Sequence, residues 1–117
     1  MAGLTTHVLD TSKGKPAIKL KIELYKINNS KKILIDTFLT NEDGRVDKPL
    51  LSAENIEETT YELLFFAGDY LTNENINLNK NLFLNQIPIR FNITEKTQHY
   101  HVPLLLSPFG YSTYRGS

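Results

Sequence analysis

Three histidines, one arginine placed after a tight-turn signal and a polar C-terminal tetrapeptide are the groups in this sequence that can do chemistry. His7 lies in Thr5-Thr6-His7-Val8-Leu9-Asp10, Arg45 follows Asp43-Gly44, and His99 and His101 flank Tyr100. The sequence ends on Tyr114-Arg115-Gly116-Ser117. Imidazole titrates near neutral pH, so two histidines can take a proton from water and return one to a leaving group. A guanidinium stays charged and offers a rigid fork of donors to oxygen atoms. Other chemistries are excluded by type: there is no cysteine, hence no thiol nucleophile and no CxxC site. A Gly-x-Ser-x-Gly elbow and a glycine-rich phosphate loop are also missing from the sequence.

Such groups act only if the backbone aims them at one place. Side chains two apart share a strand face. His7 therefore shares a face with Thr5 and Leu9; His101 with His99, Pro103 and Leu105; Tyr114 with Ser112 and Gly116. Val102, Leu104 and Leu106 would supply the core face, leaving His101 outside. Three neighbouring strands of this parity would present His7, His101 and Tyr114 together. Taken singly, each residue has a plainer reading: a solvent-facing strand histidine, a solvated turn arginine, a frayed terminus. His99, at the start of its strand, is assigned no role. The His-x-His spacing would also suit zinc with His7 as a third ligand, but it is common in any sequence, and no metal or other cofactor is expected. Glu54, Glu57 and Glu58 read as a solvated loop face.

The elements that must position these residues are strands. Ile18, Leu20, Ile22 and Leu24 alternate with polar residues, as do Ile87, Ile89, Phe91 and Ile93, the period of a strand with one face on a core. Apolar runs at 33–39 and 61–66, and segments at 4–9, 100–106 and 112–117, supply further strands. Turn chemistry at 12–16, 28–30, 41–44 and 107–110 separates them. Seven or eight short strands at this spacing predict an all-β antiparallel sandwich or barrel. The stretch 67–78 lacks alternation and suggests a short helix or ordered loop near 69–74.

Size and charge fit one globular domain spanning 1–117. The 13 basic and 13 acidic residues cancel, so no nucleic-acid or membrane partner is expected. The opening residues lack the basic and apolar regions of a secretory signal, and a cytoplasmic location is expected.

The segments LTTHVLDTSKGKPA, TNEDGRV and HYHVPLLLSPFGYSTYRGS resemble the 5-hydroxyisourate hydrolases, the transthyretin-related enzymes of urate breakdown. The likeness spans both ends, while the middle, roughly 52–85, matches in pattern only. It implies a transthyretin-like sandwich of two four-stranded sheets with one short helix, and a homotetramer, a dimer of dimers, with sites in clefts between subunits. It implies His7, Arg45, His101 and Ser117 as catalytic residues and Tyr114, Arg115 and Gly116 as substrate-binding ones, acting on 5-hydroxyisourate. Transthyretin itself has lysine in place of His7, glutamate in place of Arg45, and threonine in place of His101 and Tyr114. The alternative is a non-catalytic small-ligand binding protein of the transthyretin type; a plain structural sandwich is a more distant rival.

Overall fold

The computed structural model describes residues 2–74 and 82–116. Two four-stranded sheets share one core. The first is antiparallel throughout and joins β4 (Lys21–Asn28), β5 (Lys31–Leu39), β6 (Thr60–Phe65) and β7 (Ile87–Asn92) in the order β5-β4-β6-β7. The second joins β2 (Val8–Asp10), β3 (Lys15–Pro16), β9 (Leu104–Ser107) and β10 (Gly110–Thr113) in the order β10-β9-β2-β3. A short parallel pair, β1 (Gly3–Thr5) and β8 (His99–His101), extends the β2–β9 seam. The helix α1 spans Ala67–Glu74. This is the expected transthyretin-like arrangement, an all-β sandwich with one short helix, although the β1–β8 and β2–β9 pairs run parallel where antiparallel pairing was expected.

Alternation explains the layers. Ile22 and Leu24 of β4, Tyr61, Leu63 and Phe65 of β6, and Val8, Leu104 and Leu106 of the second sheet are all fully buried in one cluster. Each such aliphatic side chain contributes about 1.5–3 kcal/mol on burial. The Asn28-Asn29-Ser30 signal becomes a tight hairpin between β4 and β5, with φ of 51° at Asn29 and 69° at Ser30, both positive as a twisted two-residue turn requires.

Three expectations need correction. The alternation starting at Ile18 predicted a strand from there, but β4 begins at Lys21. Lys19 adopts φ 60°, which breaks the extended chain, and the buried Thr40 hydroxyl takes over, accepting from Leu20 N at 2.9 Å and donating to Ala17 O at 2.7 Å. The single strands expected at 4–9 and 100–106 are each divided, into β1 and β2 and into β8 and β9. Their register is nonetheless continuous, with Thr5 opposite His101 and Val8 opposite Leu104. The helix starts earlier than expected, at Ala67, and 75–78 of its predicted stretch lies outside the described residues. Tyr70 of α1 donates from its hydroxyl to the fully buried Asp10 at 2.7 Å, tying the helix to the end of β2.

Candidate active site

The seam between the N-terminal segment and the β8–β9 segment carries both histidines expected to be catalytic. Val102 N donates to Thr5 O at 3.0 Å and Leu104 N to His7 O at 2.9 Å, so the pairing runs through the gap between the named strands. Thr6 lies on the core side and donates its hydroxyl to Val102 O. His7, its neighbour, is half-buried on the other side, as the parity predicts. Val102, Leu104 and Leu106 are buried, and His101 is half-buried on the opposite face. Pro103 has no N–H to offer its other neighbour. The division of the strand falls at this residue.

Arg45 arrives from the turn after β5. Asn41 organises that turn: its side-chain oxygen accepts from Asp43 N and Arg45 N, and its own N–H donates to Arg45 O at 2.6 Å. Gly44, at φ 74°, donates nothing bulky to the contact and accepts from Val8 N at 2.8 Å through its carbonyl. A Cβ at Gly44 would collide with Val8 O, so glycine is required twice there, by its positive φ and by the close approach. The result is an antiparallel bridge between Arg45 and His7.

The C-terminal segment closes on His101. Gly116 pairs with His101, donating its N–H to His101 O at 2.6 Å. The pairing keeps the register of the β9–β10 hairpin, in which Thr113 faces Leu104, so Tyr114 stands opposite Pro103 and Arg115 opposite Val102. Arg115 is accordingly on the other side of the strand from His101. Its guanidinium lies 4.1 Å from the centroid of the Tyr100 ring and donates to Gln98 Oε1 and His99 O. Tyr114 is exposed, and with Arg115, Val102 and Phe91 it borders a groove of about 270 Å³. The structure thus brings His7, Arg45, His101 and Gly116 together, while Arg115 is held on Tyr100. Ser117 lies outside the described residues.

Electrostatics sets the protonation of the cluster. Partial burial lowers the pKa of His7 from the ordinary 6.5, and the Arg45 charge lowers it further, against an opposing pull from the Asp43 backbone. Burial also lowers that of His101, followed by the charges of Arg45, His7 and His99. Both imidazoles are therefore neutral at pH 7, the form able to accept a proton. Among the described residues no three His, Asp or Glu side chains gather as a metal-binding set.

Two residues of the cluster were given no role from the sequence. The Thr5 hydroxyl lies 2.8 Å from His101 Nδ1 and 3.1 Å from His99 Nε2, so His99, given no role above, is linked to His101. The shared parity of Thr5, His7, His99 and His101 was the available signal.

Residues 4–116 match the model of the HIUase/Transthyretin family. The chain belongs to that family. A 5-hydroxyisourate hydrolase 2 of Rhizobium meliloti (strain 1021) is 54% identical over 97% of this chain and 95% of its own length. Among solved structures, an (S)-allantoin synthase superposes with a TM-score of 0.90 at 42% identity, over 98% of this chain and 43% of that longer one. Sea bream transthyretin in complex with thyroxine superposes with a TM-score of 0.86 at 26% identity, over 97% and 93% of the two chains. Proteins similar to this chain thus include one named as a hydrolase and a transthyretin in complex with thyroxine.

Proposed function

We propose that this chain hydrolyses 5-hydroxyisourate to 2-oxo-4-hydroxy-4-carboxy-5-ureidoimidazoline, a step of urate degradation. The observation that carries the reading is the convergence of two neutral imidazoles, His7 and His101, with Arg45. Water loses a proton to one histidine and adds to the lactam carbonyl carbon. The ring C–N bond then breaks, and the departing nitrogen receives that proton back from the histidine that took it. Arg45 holds the substrate oxygens and stabilises the oxyanion. Gly116 allows close approach beside His101, Tyr114 borders the substrate, Arg115 anchors the tail on Tyr100, and the Ser117 hydroxyl completes the pocket.

The site is open on a single subunit: Arg45 and Tyr114 are exposed, and both histidines are half covered. A homotetramer, a dimer of dimers with clefts between subunits, would enclose it. Close relatives named as hydrolases support the catalytic reading over the carrier one, as does a cluster suited to proton transfer. The test generates 5-hydroxyisourate from urate with a urate oxidase and follows its absorbance. The protein is expected to accelerate the decay well beyond the spontaneous rate. Tight binding of the compound without accelerated decay would instead make this a carrier.

A further inference from the structure

The Thr5 hydroxyl sits between two imidazoles, and it has a single proton to give. It cannot donate to both His101 Nδ1 at 2.8 Å and His99 Nε2 at 3.1 Å. The chain of three groups therefore has a direction, and the direction fixes which nitrogen of His101 carries hydrogen. We propose that Thr5 is a positioning residue that relays the tautomer of His99 to His101, fixing the Nε2–H of His101 as a hydrogen-bond donor to the substrate and leaving His7 as the base.

The direction follows from the outer end of the relay. Among the described residues no hydrogen bond engages His99 Nδ1, and the ring is half-exposed. An imidazole with no partner at Nδ1 prefers to carry hydrogen on Nε2. His99 Nε2–H therefore donates to Thr5 Oγ1, the Thr5 hydroxyl donates to His101 Nδ1, and His101 keeps its hydrogen on Nε2. That nitrogen lies on the far side of the ring from Thr5, where its N–H can donate a hydrogen bond to the substrate. The groups facing His101 agree with a neutral ring: Arg45 from the turn, His7 from the N-terminal segment and His99 from β8 all disfavour a second proton, and the tail meets it with the uncharged backbone of Gly116. His7 has the complementary environment. The Asp43 backbone favours a proton on the ring nitrogen that faces it, so the other nitrogen retains the lone pair that a base needs.

Thr5 is held for this task. Its carbonyl accepts from Val102 N, and its Cα stands in register with that of His101, so the hydroxyl cannot drift from the ring without breaking the seam. The proposal rests on the hydrolase reading, yet its first test needs no substrate. Nitrogen-15 NMR of the wild-type protein should show His101 as the Nε2–H tautomer with Nδ1 accepting a hydrogen bond. Thr5→Val should release the tautomer to a mixture and lower kcat about 10–100-fold, the scale of a lost histidine-orienting partner, with KM little changed. Thr5→Ser should restore both. His101 found as the Nδ1–H tautomer in wild-type protein would overturn the relay, as would Thr5→Val with unaltered tautomer and kcat. If Thr5→Val fails to fold, the wild-type spectrum and recovery in Thr5→Ser still decide. A wild-type protein with the expected tautomer but no turnover would refute the hydrolase reading and leave the relay standing.

Discussion

Gly116 touches His101 on two counts: its N–H donates to the histidine carbonyl at 2.6 Å, and a Cβ at Gly116 would come within 2.8 Å of ring carbon Cδ2. The flat face of the glycine is thus the surface against which the imidazole rests. Gly116→Ala must displace the ring or the tail. Because a misplacement of about 1 Å can cost about 10²-fold in rate, kcat should fall on that scale. No core side chain is removed, so the melting temperature should hold. Steady-state kinetics and a thermal melt on one preparation check both halves.

Acidity offers a second test. Both histidines have pKa values below the ordinary 6.5 in the folded protein. The folded state then binds fewer protons than the unfolded one as pH falls through that range. Histidine-linked stability is therefore complete above about pH 6.5 and is lost on acidification toward the folded-state values. The base stays neutral over the same interval. The acid limb of kcat/KM should consequently lie below pH 6.5, and a limb at or above it would show that burial and Arg45 do not act as described.

Substitution of Arg45 separates charge from geometry. Arg45→Met removes a cation that depresses both imidazoles, so the acid limb should move to higher pH while kcat falls about 10²–10³-fold with the loss of oxyanion stabilisation. Arg45→Lys keeps the charge and loses the donor fork. Its limb should remain near the wild-type position although turnover is reduced. A pH–rate profile for each variant distinguishes the two effects.

Asp10 and Tyr70 supply a stability test away from the chemistry. Burial alone would raise the Asp10 pKa, but hydrogen bonds from Ser12, Tyr70 and the Lys13 backbone outweigh it and keep the carboxylate charged. Tyr70→Phe removes one charged-acceptor bond from a fully buried group, which should cost about 1.5–3 kcal/mol. Denaturant unfolding should record that loss, with kcat at 25 °C unchanged because Tyr70 bonds the far end of β2 from His7.

Much of this site was legible in the sequence because strands impose a period of two. Parity placed His101 on the face opposite Val102, Leu104 and Leu106 and His7 on one face with Thr5 and Leu9, and the Asp43-Gly44 signal set Arg45 beside a turn. What parity cannot supply is which strands lie side by side. The pairing of Thr5 with His101, of Arg45 with His7 and of Gly116 with His101 joins residues remote along the chain, and local propensity carries no record of it. Interruptions were partly hidden. Lys19 turns left-handed where alternation looked unbroken, whereas Pro103, whose missing N–H signals an edge or a bulge, divides a run whose hydrophobic pattern continues through it. Arg115 reaches the ring of Tyr100 because its register position opposes Val102, and that register becomes visible only once the hairpin is seen.

The claim on which the rest depends is that His7 and His101 work as one unit. It is tested most directly by the initial rate of 5-hydroxyisourate decay with His7→Asn, His101→Asn and the double variant. Each single change should cost at least about 10²-fold, and the double variant should be little worse than the poorer single one, as groups sharing one step behave. Losses that multiply in the double variant, or wild-type rates in either single one, would contradict the account.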